Sequence, residues 1–415
     1  GFVAFSESKS NNKGMKENTV LSLSYGHIVV KPEEKLVGLV PESFETYQLV
    51  EPDDIIVRCT DLQNDKVSLR TGLAKNKGII TNAYLNLRVK NGFDARFLHY
   101  YLHALDTTKV LYKFGSGLRQ NLSFLDFKRL PIFEIPEDTQ KLIANYLDKK
   151  TAQIDDAIAI KEQQISLLKE RKQIIIQQAV TQGLDPNVPM KGSGVDWIGK
   201  IPAHWGIESF KNVLTERNEK NDPIKSRERL SLSIDKGITL YAEKTTNLDR
   251  FKDDFKQYKL AHESDLVFNS MNMIVGAVGV SNYFGCVSPV YYTYYSRNEN
   301  SKITKYYESL FRSRIVQSQL FCLGKGIMAI DRGDGKFNTV RLKVSRDDLR
   351  SMKVPCPTNR EIIEIVEHIE AINVETGKAI DLNEQQIEKL KEYKTTLINS
   401  AVTGKIKITP EMVEQ

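Results

Sequence analysis

The segment EQQISLLKE at 162–170 recurs as EQQIEKLKE at 384–392, 222 residues later, with seven of nine positions identical. The same offset carries Ala179-Val180-Thr181 onto Ala401-Val402-Thr403, Ser123 onto Ser345 and Asp126 onto Asp348. Upstream, LSLS at 21–24 matches LSLS at 230–233 with an offset of 209, and Tyr47…Asp54-Ile55-Ile56 matches Tyr258…Asp265-Leu266-Val267 with an offset of 211. An offset that drifts in small steps is what two diverged copies with loop insertions produce. Two copies are too few for a solenoid of stacked repeats. The chain reads as one module written twice: globular unit, helix, globular unit, helix.

Periodicity defines the helices. In the first copy apolar residues fall at Ile154, Ile158, Ile165, Leu168, Ile175 and Ala179, with Lys161 and Lys172 at the skipped positions. In the second the seam is Ile369, Ile372, Thr376, Ile380, Asn383, Ile387, Leu390, Lys394, Leu397 and Ala401. Steps of three, four and seven sustained over several heptads predict a coiled coil, with the polar seam residues fixing register or orientation. Pro136 and Pro357 mark where the helices begin, and Gly183 and Gly404 supply the stops. The globular parts carry short β-rich runs at 54–57, 84–89 and 291–295, followed by helical stretches near 95–112 and 304–321. The fold class is therefore α+β: two globular domains, two long helices forming an antiparallel coiled coil, and an internal pseudo-twofold repeat. Expected boundaries are 1–135 and 207–356 for the globular domains, and 136–182 and 357–404 for the helical spacers. A Gly- and Pro-rich stretch, 183–206, reads as a linker, and 405–415 as a tail. The first copy has no counterpart of 196–209 ahead of Phe2: either its N-terminus is truncated or the leading segment is missing from that copy.

With 415 residues the chain has room for two to four domains, at about 100–200 residues each. No window approaches 18 apolar residues, and Gly1 to Lys16 hold no apolar signal core, so the expected location is the cytoplasm. The four cysteines (Cys59, Cys286, Cys322, Cys356) are scattered, as are the six histidines; neither a disulfide framework nor a metal-binding spacing is visible. The net charge of +6 is unevenly placed. Residues 1–130 hold 18 Lys+Arg against 14 Asp+Glu, and 186–356 hold 27 against 19. The helical blocks are acidic, with 7 against 9 at 131–185 and 7 against 11 at 357–415. Basic globular blocks suit a polyanion such as DNA; mildly acidic helices suit a structural role or a protein partner.

Catalytic motifs are missing. Gly194 to Lys200 fits GxxxxGK, but Ile201 stands where a phosphate loop needs Ser or Thr, and no apolar strand precedes it. No GxGxxG, GxSxG, HExxH or kinase set appears. There is no Asn-Pro-Pro-Tyr or Asp-Pro-Pro-Tyr, the tetrapeptide that holds an exocyclic amine in amino-methyltransferases. Glu51-Pro52-Asp53-Asp54 looks like a nuclease carboxylate cluster, but its second-copy partner His262-Glu263-Ser264-Asp265 favours a turn entering a strand.

Several stretches together resemble one family. DWIGKIPAHWGIESFKNV (196–213) looks like the leading segment of a target recognition domain. AHESDLVFNSMNMIVGAVGVSNYFGCVSPVYYTYY (261–295) looks like such a domain's core, with EPDDIIVRCTDLQ…GIITNAYLNLRV (51–89) as its counterpart. GSGLRQNLSFLDFKRLPIFEIP (115–136) and EQQISLLKERKQIIIQQAVTQGLD (162–185) resemble the exit into, and the body of, the first conserved helix. The chain thus resembles the specificity (S) subunit of type I restriction-modification systems over nearly its whole length. The resemblance implies a non-catalytic subunit that reads double-stranded DNA, each target recognition domain taking one half of a gapped, asymmetric site. It implies two methyltransferase (M) subunits with adenine-N6 specificity and two restriction-translocase (R) subunits as partners, and no membrane. No cofactor is expected on this chain; S-adenosylmethionine, ATP and magnesium belong to the partners. Two alternatives are the recognition subunit of a related modification system without ATP-driven cleavage, and a structural coiled-coil protein.

Phosphate contacts want Lys and Arg; base reading wants Arg, Asn, Gln and apolar contact with thymine methyls. On that chemistry the candidates in the first domain are Arg58, Asn64, Lys66, Arg70, Lys75 and Lys77, with Arg119, Gln120 and Asn121 in the GSGLRQN turn. In the second domain they are Asn269, Asn272 and Met273, then Lys325, Arg332 and Lys336 in a Gly-rich stretch.

Overall fold

The computed structural model describes residues 1–32, 43–60, 62, 69–114, 121–244, 254–298, 300–327 and 341–414. They form two compact units, 1–163 with 383–415, and 164–382. The division cuts both long helices, so each unit holds one globular part seated on one stretch of each helix. That differs from the sequence-based division, which set the helices apart as separate spacers.

Each unit is built on the same four-stranded antiparallel sheet. In the first unit the order is Phe5–Glu7, Leu85–Val89, Ile55–Val57, Thr71–Leu73. In the second it is Thr215–Arg217, Tyr291–Tyr295, Leu266–Asn269, Val278–Val280. Registers correspond: Ile56 faces Asn86, and Val267 faces Thr293. The two LSLS segments occupy equivalent hairpins, Leu21–Ser24 with His27–Val30 and Leu230–Ser233 with Gly237–Leu240. The paired acidic turns are also equivalent. Asp53 (φ 70°) and Ser264 (φ 67°) take left-handed conformations, and Asp54 N–H and Asp265 N–H donate to Glu51 O and His262 O. The carboxylate cluster is thus a strand-entry turn, and each buried Asp holds an arginine: Asp54 with Arg88 at 2.8 Å, Asp265 with Arg217 at 2.7 Å.

A helix packs on each sheet, Ala95–Thr107 capped by Asp94 and Ser301–Phe311 capped by Asn300. Ser123 and Ser345, matched by the repeat, cap two short helices with the same partners, Asp126 and Asp348. The second unit also contains Gly206–Ser209 paired with Lys353–Cys356, and Met190–Gly192 paired with Lys200–Pro202. The stretch expected to be a linker is therefore ordered. Ile198, Ile201 and Trp205 enter the core, and Trp205 Nε1 donates to Glu361 at 2.9 Å. Gly194 to Lys200 lies in the turn of that hairpin and Lys200 begins a strand, so no helix N-terminus stands behind it to hold a phosphate.

The long helices run Glu137–Gln182 and Asn359–Val402. Gly183 (φ 79°) and Gly404 (φ 71°) follow them in the left-handed region. In the first unit Ile143, Leu147 and Ile154 share a core with Leu397, Ile398, Ala401 and Val402, and Lys394 Nζ sits 2.7 Å from Asp155. In the second, Ile176, Ala179 and Val180 share a core with Ile362, Ile365, Val366 and Ile369. As one helix advances its partners on the other recede, so the pair is antiparallel. The seam residues Ile154, Ala179, Ile387, Leu397 and Ala401 are buried, and Ile158, Ile165, Leu168, Ile175, Ile380 and Leu390 are half-buried. Among the described residues no helix is long and apolar enough to cross a membrane.

Candidate nucleic-acid interface

The sequence candidates fall into three groups. Asn64, Lys66, Arg119, Gln120, Arg332 and Lys336 lie outside the described residues. Lys75, Lys77, Asn121, Asn272 and Lys325 are exposed, and Arg58 is half-buried. Lys77 pairs with Glu51 at 3.4 Å and Lys325 with Asp348 at 3.5 Å, both in solvent where such pairs contribute little. They remain available to phosphate.

Three candidates have structural roles instead. Arg70 is wholly buried. Its Nη1 donates to Thr60 O at 2.8 Å and Arg58 O at 3.3 Å, its Nε to the Tyr112 hydroxyl at 3.1 Å, and its backbone N–H to Asp106 at 2.6 Å. A guanidinium's five donors suit gathering loop carbonyls under a helix, and that is its use here. Met273 is wholly buried in the second core, in the tight turn that Gly276 (φ 89°) closes. Asn269 is half-buried and organises that turn, its Oδ1 accepting from Met271 N–H at 3.1 Å and its Nδ2 donating to the Tyr291 hydroxyl at 3.4 Å. Arg70 and Met273, expected at the surface, are instead wholly buried and hold protein groups in place.

A surface groove of about 590 Å³ in the first unit holds polar groups that sequence reasoning missed. Three segments form it: Glu7–Lys13 following the edge strand, Glu45–Gln48, and Asn82–Asn86. Asn86 is 1% exposed. Its Nδ2 donates to Leu49 O at 3.2 Å and to Asp54 Oδ2 at 3.1 Å. Both partners only accept, so the carboxamide cannot be reversed, and its Oδ1 is buried with no partner. Ser8 also lines the groove, and its Oγ is likewise buried and unpartnered. A buried polar atom left unmade costs about 1–3 kcal/mol, so two at one groove call for an explanation. Gln48 Nε2 donates to Thr81 O at 3.0 Å and Tyr84 O at 2.6 Å, which fixes that amide in turn. The one sequence signal was Asn86 itself, a polar residue at an inward position of the strand LNLRV, but only the fold shows what surrounds it.

Burial pushes the Cys59 thiol up to about 12 and Cys286 up to about 11, so neither is a thiolate nucleophile. Among the described residues no three His, Cys, Asp or Glu side chains are grouped to hold a metal. A second cavity, about 570 Å³, is lined by His27, His99, His103, Tyr100, Lys75 and Lys394 among others. Burial holds His99 down to about 3 and His103 down to about 4, so both imidazoles are neutral near pH 7.

No protein-family model matches the sequence. Solved structures do. One chain, from work on complex assembly and conformational transition of the type I R-M system, aligns over 97% of this chain and 96% of its own, with a TM-score of 0.66 and 12% identity. The fold is that of a type I specificity subunit. The HsdS subunit from Thermoanaerobacter tengcongensis aligns over 97% of this chain and 95% of its own, with a TM-score of 0.52 and 13% identity. At this identity the likeness to the specificity-subunit fold is one of fold alone, extending over nearly the whole of each chain.

Proposed function

We propose that the chain is the DNA sequence-recognition subunit of a type I restriction-modification system. The observation that carries the reading is the duplicated module, one sheet domain on each stretch of paired helix, matched end to end by the specificity-subunit fold. Each domain reads one half of a split site. The domains differ in sequence, so the half-sites differ. The base pairs between the two half-sites go unread, so the recognition sequence is gapped.

The chain carries no catalytic machinery of its own; adenine methylation with S-adenosylmethionine, and cleavage with ATP and magnesium, belong to M and R subunits, two of each. The helices offer them a docking surface. Ile160, Leu167 and Ile174, seven residues apart on the first helix, are each more than half exposed, an apolar row facing away from the seam.

The test is to express the chain with its neighbouring methyltransferase and map methylated adenines by single-molecule sequencing, with and without the chain. A gapped two-part motif that disappears without it is the expected result. Unchanged methylation would sink the proposal and leave the structural coiled-coil reading ahead.

A further inference from the structure

We infer that the cavity beside His103 in the first unit binds a planar ring carrying a negative group, the chemistry of a mononucleotide. The inference is independent of the recognition role. The tip of the Leu21–Ser24 hairpin, the helix Ala95–Thr107 and both long helices converge there on a space of about 570 Å³, within the size range of small-molecule sites. Charge selects the anion. Asp148 is held by Arg96 at 2.9 Å and by the Tyr100 hydroxyl at 2.8 Å, and Asp155 by Lys394 at 2.7 Å. The side chains of Lys75, His27 and His103 make no hydrogen bond or ion pair among the described residues. Three cations, Lys75, Arg96 and Lys394, thus face two carboxylates, and one positive charge is left over before any imidazole takes a proton. His103 is held down to about 4, by burial first and then by the charges of Lys394 and His27. An anion beside it offsets those terms and lets the ring donate as a cation. His99 takes no part, because its Nε2 is buried out of reach.

Tyr25 supplies the surface for a planar ring. It opens the hairpin turn at φ 48°, ahead of Gly26 at φ 80°, a conformation uncommon for so large a side chain. The residue is 90% exposed, so packing within the domain does not explain it. At the edge of the cavity its ring can lie on the face of a flat ligand. The fold alone does not create this site. The seam lysine Lys172, matched to Lys394 by the repeat, marks the same place in the second unit. The cavity there is about 290 Å³ and is lined by Asp235, Glu308, Ser309 and Arg312, with no aromatic ring or imidazole among the described residues. The first copy has the aromatic and basic version of a place that the second fills with its own acids.

The experiment is calorimetric titration of the full chain with adenosine monophosphate, adenosine and inorganic phosphate. The nucleotide is expected to bind more tightly than either of its parts. Tyr25→Ser, a change at an exposed turn, should weaken the nucleotide about tenfold, within the range of one base stacked on an aromatic ring, and leave phosphate as it was. His103→Gln should weaken nucleotide and phosphate alike, with circular dichroism showing that the variant is folded. A tetranucleotide of deoxyadenosine separates the two sources of this chemistry: tighter binding than the monophosphate assigns the site to a nucleotide within a strand, weaker binding to a free one. If the monophosphate binds no better than inorganic phosphate, or if neither variant changes its affinity, the cavity is not such a site. The recognition role would stand in either case.

Discussion

Arg70 and the histidine pair show how far a residue's role depends on what the fold puts around it. Arg70 looks like a phosphate ligand in the sequence, and burial turns it into a strut between two loops and Tyr112. Arg70→Ala would leave those carbonyls unpaired and open a void, at a cost of about 2–4 kcal/mol. The expected result is a lower urea midpoint with the selectivity of the folded fraction unchanged; altered selectivity at full stability would place Arg70 at the interface after all. His99 and His103 make a pH prediction. Their folded values, about 3 and about 4, lie below the ordinary histidine value, mainly because burial disfavours the cation. The unfolded chain therefore takes up protons first as pH falls. The stability these two contribute is intact above about pH 6.5 and drains away toward pH 4, at up to about 1.4 kcal/mol per unit for each histidine, less whatever solvent in the cavity screens. Urea midpoints measured from pH 7.5 to 5 should fall, and fall less in His99→Gln. Equal slopes would show that the imidazoles are hydrated.

At the scale of elements, the seam was legible because heptad spacing survives in the sequence whatever the helix packs on. Its polar positions were legible too, and Lys394 meets Asp155 across the pair. What the heptads did not reveal is the second contact face. Val180, Ile398 and Val402 are nearly or wholly buried one position away from seam residues, because each helix also carries a globular core. Strands were readable where apolar runs were continuous, as at Ile55–Val57 and Tyr291–Tyr295. The Gly- and Pro-rich 183–206 read as linker because its three core residues, Ile198, Ile201 and Trp205, carry no period. Leu397 belongs to both faces of the argument, seam and core. Leu397→Ala should cost about 2–4 kcal/mol, read as a lower melting temperature by circular dichroism, whereas Lys391→Ala on the exposed side should cost about 0.5 kcal/mol or less. A similar loss for both would mean that the pairing does not depend on the seam.

For the molecule as a whole, a duplicated reader separates affinity from specificity. On the proposed reading, basic side chains hold the duplex wherever it lies, while fixed hydrogen-bonding groups choose among sequences. Lys75 and Lys77 are both exposed on the first domain. Lys75→Glu with Lys77→Glu should weaken binding about equally for every sequence and flatten the dependence of log K on log salt by about two, one for each phosphate no longer neutralised. The methylated motif itself should not change. Methylation mapping together with a salt titration checks both points in one experiment. A lysine variant that rewrote the motif would mean that these side chains select bases and do not only hold phosphate.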